Sequence, residues 1–446
     1  MTTTSFQMKR QAIACRLLPA LLTIVILSAC NKTNEFKNKN KPGSYPADVI
    51  NKWITLQVRL MRNATGIPNQ AFSRPYAYAG IAALESLAPT LPASSQWTKK
   101  WSSLTGLPPA NHSVHYYYPA NVNAALASIN KAFFTNASNT DKAAIDSLEH
   151  ALNNSFLTNS DNATLTASAQ YGKAVATAVF NWSETDGYKN AGAAYTAPSG
   201  LGLWVPTAPA FANPTSPYWG NNRPIITGST TNSKPAAPMA YSADPKSSFY
   251  EMAKQVYDVS QNLTDEQKAI ALHWRDVPGV TSPGHWLNIL EQVLHQTDAS
   301  VEKAALAYAL TGAVINDALI SCWKTKYEYN LMRPITYIRN IMGHTTWTSY
   351  LTTPAHPEFA SAHAVLSSAA ADAFQRLFGN IGLFTDHTYD YLGFAPRSYS
   401  SLTAIGEEAA QSRLYAGIHY QPSIDAGIIQ GRKVASNIFS VESSSK

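Results

Sequence analysis

Cysteine and charge are scarce in this sequence. Of its 446 residues three are cysteine, Cys15, Cys30 and Cys322. The first two fall in an N-terminal leader, so Cys322 stands alone and an internal disulfide framework is excluded. Stability has to come from burial. Charged residues are 14% against 45% hydrophobic ones, a balance that excludes a disordered chain. The formal net charge is +6, and Lys9, Arg10 and Arg16 of the leader supply half of it. The remaining +3 is too little on a chain this long for a nucleic-acid binder. After the leader no segment reads as an uninterrupted membrane span. No fixed-period repeat is present, convincing strands are wanting, and the histidines show no metal spacing of the HExxH kind.

What is present begins with the leader. Lys9, Arg10 and Arg16 precede the apolar run LLPALLTIVILSAC, which is short for a span and ends as a processing site does. LSAC resembles a bacterial lipobox, with Cys30 as the residue lipidated. An ordinary secretory signal cut near Ala29 is the alternative. The polar stretch NKTNEFKNKNKPGS that follows suits a tether between an anchor and a domain. The expected organisation is a signal peptide over 1–30, a tether over 31–45 and a domain over 46–446. The expected location is that of an exported bacterial lipoprotein, periplasmic or at the cell surface, touching membrane through its lipid alone.

Helical periodicity dominates the body and predicts an all-α fold, a single helical bundle. Apolar residues recur at three- and four-residue spacing over 46–62, 74–87, 120–134, 140–153 and 164–181. Thr264 and Gln267 stand in capping-box relation ahead of another apolar run. Residues 299–323 are apolar around most of the wheel, as a central buried helix would be. Helices over 361–378 and 401–417 complete the set. The exception is the Pro- and Gly-rich segment 188–246. Its aromatics, as in LGLWVP and SPYWG, predict a packed arm between an N-terminal half (46–187) and a C-terminal half (247–440).

Three clusters in the last third carry chemistry. KYEYNLMRP places Lys326 and Arg333 seven residues apart, with Pro334 disfavouring helix at Arg333. HPEFASAHA sets Ser361, Ala362 and His363 where a helix begins, and free N–H groups at such a start attract anions. SRLYAGIHY contributes Arg413 and His419. Three cations meeting at one buried spot would repel unless an anion lay between them. Each cluster alone also reads blandly: a charged helix edge, or a histidine serving only as a structural hydrogen-bonder.

Together, Lys326-x6-Arg333-Pro334, Ala360-Ser361-Ala362-His363 and Ser412-Arg413-x5-His419 resemble the signature of the type 2 phosphatidic acid phosphatase and vanadium haloperoxidase superfamily. WRDVPGVTSPGHW and GLWVPTAPAF are similar to segments of bacterial haloperoxidase-related proteins, so the resemblance spans most of the body. It implies an oxyanion, vanadate or phosphate, held by Lys326, Arg333, Arg413 and backbone N–H groups near Ser361 and Ala362. It implies His419 as axial vanadium ligand or as nucleophile on phosphorus, and His363 as acid–base. With vanadate as cofactor, the substrates would be hydrogen peroxide and a halide, with Lys326 polarising the peroxide. Without a metal, the chain would hydrolyse a phosphomonoester. A third reading is a surface lipoprotein that only binds an anion or a partner.

This sequence departs from the pattern in three places. Ala360 and Ala362 replace the usual proline and glycine, and Ser423 stands near where an aspartate would orient the last histidine. Asp425 is the next carboxylate and the expected substitute. His356 matches a bromoperoxidase-like position and Trp323 a chloroperoxidase-like one, with plain core packing the alternative for Trp323, and the balance leans toward bromide or iodide. His285 is a candidate for the same pocket, with a turn-capping role as the alternative. Glu85, Asp186 and Asp317 are expected to partner buried cations.

Overall fold

The computed structural model describes residues 41–90, 97–111, 113–276 and 280–440. The leader, Cys30 and most of the tether lie outside the described residues. Thirteen α-helices occur among the described residues: α1 (Asp48–Asn63), α2 (Ser73–Glu85), α3 (Tyr118–Phe133), α4 (Asn139–Phe156), α5 (Asn162–Ser183), α6 (Ser248–Gln261), α7 (Asp265–His273), α8 (Ser282–Gln296), α9 (Val301–Tyr329), α10 (Pro334–Asn340), α11 (Ala362–Phe378), α12 (Leu402–Tyr415) and α13 (Gln421–Ser440). The all-α expectation holds. The only paired strands among the described residues, β1 (Phe384–Asp386) and β2 (Arg397–Tyr399), form a short antiparallel ribbon. Helices α6, α8 and α13 escape the periodicity reading.

Local signals set the helix ends. The capping box at α7 is formed, with Thr264 and Gln267 each satisfying the other's backbone N–H. Helix α9 runs on past Trp323 to Tyr329 and stops where Asn330 takes the left-handed conformation. Arg333 is extended, as Pro334 predicts, and Pro334 itself opens α10, a helix the periodicity does not announce.

Helix α9 is long and apolar enough to cross a membrane, yet 94% of that apolar window is buried inside the protein. It is the core helix. Helix α2 lies against it at Gly312, where an added Cβ would sit 2.6 Å from the Ala77 Cα. Helices α11 and α13 approach as tightly at Gly431, where a Cβ would fall 2.0 Å from the Val365 carbonyl oxygen. Backbone on both sides leaves no room to yield. Gly431→Ala is therefore expected to lower stability by about 1–3 kcal/mol, read from denaturant melts. A wild-type midpoint would show the contact to be looser than it looks.

The arm over 188–246 is packed, as its aromatics predict. Trp204 and Trp219 are buried. Its backbone bonds to the end of α9, with the Trp204 N–H donating to the Asn330 carbonyl at 2.7 Å and the Met332 N–H to that of Gly202 at 2.9 Å. Asp317 in α9 accepts from the N–H groups of Ile225 and Ile226 at 2.7 and 3.0 Å. Asp317 thus anchors the arm and, contrary to expectation, pairs with no cation among the described residues. Glu85 likewise accepts from the Trp101 indole and the Thr98 hydroxyl. Only Asp186 meets a buried cation, Arg74, at 2.6 Å.

Candidate active site

A cavity of about 760 Å³ opens where α11, α12 and the loops before α8, α11 and α13 meet. His356, Ala362, His363, Arg413, His419 and Trp323 line it. Lys326 and Arg333 are not in its wall; both are fully buried.

Each cation is held by neutral acceptors. Lys326 donates through Nζ to the Pro357 and Glu358 carbonyls at 3.0 and 2.9 Å. Arg333 donates to the carbonyls of His356 and Ile418, each at 2.9 Å. Two further hydrogens reach His356 Nδ1 at 3.0 Å and His419 Nε2 at 3.1 Å. Arg413 donates to Ser412 Oγ and the Trp274 carbonyl, each at 3.0 Å. Among the described residues no carboxylate lies within ion-pairing distance of any of the three. Burial pushes Lys326 down to about 7 and both arginines down to about 10.

The partners fix the histidine tautomers. Arginine can only donate, so His419 Nε2 presents a lone pair to Arg333, while His356 Nδ1 stands between the Arg333 donor at 3.0 Å and the Pro357 carbonyl at 3.2 Å. His419 therefore carries its proton on Nδ1 and donates it to Glu358 Oε1 at 2.7 Å. A carbonyl can only accept, so His363 donates from Nε2 to the Trp274 carbonyl at 3.0 Å, leaving the Nδ1 lone pair. Ser282 Oγ, 2.8 Å from the same Nε2, passes its own proton to Asp276 at 2.9 Å. Burial first, and Arg413 next, pull the His363 pKa down to about 3. Burial, Arg333 and Lys326 hold His419 well below its ordinary value, so both rings are neutral.

Ser361 precedes α11, and its hydroxyl is buried without a partner among the described residues instead of capping the helix. Its own N–H is taken by the Ser423 carbonyl at 3.2 Å, and the intrahelical ladder begins at Val365, so Ala362 is the first of the backbone donors left at this helix start. Ala362 is helical and has no positive φ, so alanine in place of glycine brings no backbone strain.

Two sequence expectations are corrected. Asp425 does not orient His419; it is exposed and accepts from Gln421 at 2.9 Å. Glu358 does so from the loop before α11. Its Oε1 also accepts the Tyr420 N–H at 3.0 Å, and the Ser423 side chain lies close enough to favour the ionised carboxylate. His285 neither lines the cavity nor caps a turn. It sits in α8, stacks on Trp274 with ring centroids 4.4 Å apart, and meets Asp386 at 2.7 Å. Trp323 and His356 do share the cavity wall, with ring centroids 5.1 Å apart. The arm steadies Trp323 through the Thr215 carbonyl, 3.3 Å from the indole nitrogen.

Residues 306–445 match the family described as the VCPO second helical-bundle domain. Among solved structures, one described as the first bacterial vanadium-dependent iodoperoxidase is similar at 30% identity and a TM-score of 0.78, over 89% of this chain and 96% of that one. The chain belongs to the vanadium haloperoxidase superfamily. As a superfamily member it also shares its fold with the holo and apo forms of a bacterial vanadium-dependent chloroperoxidase. Each is 16% identical, with TM-scores of 0.66 and 0.62, over 86% and 84% of this chain and 95% and 94% of those chains. No curated protein matches this haloperoxidase-superfamily sequence.

Proposed function

We propose that the protein is a vanadate-dependent haloperoxidase that oxidises iodide or bromide with hydrogen peroxide. One observation carries this reading: Lys326, Arg333 and Arg413 are buried beside one cavity without a carboxylate partner among the described residues. Glu358 and Asp276 offset this charge only from beyond ion-pairing distance, and buried charge so weakly compensated is unfavourable, so the arrangement calls for an anion.

The residues fit vanadate. Ser361 offers an orphaned buried hydroxyl, Ala362 a backbone N–H, and His419 an Nε2 lone pair backed by Glu358. Lys326, Arg333 and Arg413 would hold its oxygens. When bound, vanadate supplies a Lewis-acidic centre that activates peroxide towards halide. His363 exchanges a proton at Nδ1, and an anion beside Arg413 raises its basicity by offsetting that charge. Trp323 and His356 wall the space where a halide would approach. The iodoperoxidase likeness supports iodide first.

The test uses purified protein freed of vanadate and phosphate, assayed with and without orthovanadate. Iodide and bromide oxidation by peroxide is measured beside hydrolysis of a phosphomonoester. Halide oxidation that requires vanadate is expected. Hydrolysis that vanadate inhibits, without halide oxidation, would overturn the reading in favour of a metal-free phosphatase with His419 as nucleophile.

A further inference from the structure

A second group of chemically able side chains lies behind Trp274, outside the oxyanion cavity. His273 closes α7, His285 ends the first turn of α8, and Asp386 ends β1. All three are buried. Asp386 Oδ2 is 2.9 Å from His273 Nε2 and 2.7 Å from His285 Nε2. The three ligand atoms lie within 4.8 Å of one another.

Two features distinguish this from an ordinary hydrogen-bonded histidine. Among the described residues no lysine or arginine contacts the Asp386 carboxylate; Arg397, opposite it in the ribbon, is committed to Glu408 and Glu266. Buried charges are paired or coordinate metals. In addition, the other oxygen, Oδ1, is held by the Thr388 N–H at 2.9 Å, the Thr388 hydroxyl at 2.6 Å and the Gln292 amide at 3.1 Å. Oδ2 is thereby aimed at the two imidazoles, as outer partners aim a ligating carboxylate.

We propose that His273, His285 and Asp386 bind one divalent transition-metal ion through Nε2, Nε2 and Oδ2. Two imidazoles and one carboxylate suit zinc and disfavour calcium or magnesium. Tetrahedral zinc keeps such ligand atoms roughly 3.3 Å apart, so each needs to retreat by about half an ångström as its N–H proton leaves. Water takes the fourth position. The site shares no residue with the oxyanion cradle and stands independently of the proposed activity. Its effect there is positional: it braces Trp274, whose carbonyl accepts from both His363 and Arg413.

The experiment uses the whole protein without a histidine tag. Metal content is measured by mass spectrometry, and chelator-treated protein is titrated with Zn²⁺ and with Co²⁺, whose visible absorption reports nitrogen and oxygen ligation. One equivalent per chain is expected. His285→Ala is expected to weaken it at least about tenfold, and the exposed-helix control His295→Ala to leave it unchanged. Folded wild-type protein that neither holds nor takes up an equivalent overturns the proposal. So does wild-type affinity in His285→Ala or, where that variant does not fold, in Asp386→Asn.

Discussion

Arg333→Ala is expected to lower the affinity for orthovanadate by at least about 100-fold, since two charge-assisted hydrogen bonds to an anion contribute roughly 3 kcal/mol or more together. Stability of the anion-free protein should change much less, because two effects oppose each other. Losing the guanidinium strands the His356 and Ile418 carbonyls, each about 1–3 kcal/mol unsatisfied. Against that, it removes a buried cation whose desolvation already pulls its pKa down to about 10. Arg333→Lys keeps the charge and loses the fork, so intermediate affinity follows. Calorimetric titration with orthovanadate, alongside thermal melts at several vanadate concentrations, reads both quantities. Affinity within threefold of wild type in Arg333→Ala would mean the anion binds elsewhere.

The residues of the cradle were legible because local rules place them. Pro334 forces Arg333 out of helix, a helix start follows Ser361, and the spacing from Arg413 to His419 spans one helix end and one short loop. What local rules do not reach is which loop faces which. Glu358 stands five residues before His363, but its role depends on the loop after α12 folding back over it from 61 positions away. A reading along the chain looks just downstream of His419 and finds Asp425, whose side chain the next helix turns to solvent. The same limit hid His273, His285 and Asp386, since the last lies 101 residues beyond His285 and joins it through the ribbon. Helices α8 and α13 were missed for another reason. Each carries proline in its first turn, at Pro283 and Pro422, and proline there starts a helix although it reads as punctuation.

Glu358→Gln is expected to reduce vanadate affinity or halide oxidation by roughly 10–100-fold, the usual effect of removing a group that orients a ligating histidine. The amide can still accept from His419 Nδ1–H, but it no longer makes the ring more basic at Nε2. Burial raises the Glu358 pKa to about 7, with Arg333 and Lys326 pulling it back. Above that pH the carboxylate accepts the His419 proton. Below it the acid carries its proton on Oε2, still accepts at Oε1 as an amide would, and no longer makes the ring more basic at Nε2. Wild-type activity should therefore fall as pH drops through about 7, and this limb should vanish in Glu358→Gln. Stability runs the other way. A carboxyl whose folded pKa lies above its unfolded value of 4.5 contributes stability in full below that value, and the contribution is lost as pH rises through about 7. Ionised Glu358 thus destabilises the anion-free protein by about 3 kcal/mol at pH 8, and Glu358→Gln should melt higher there while working less well. A merely structural glutamate would lose activity and stability together, so thermal melts and pH–rate profiles of the one variant decide between the two roles.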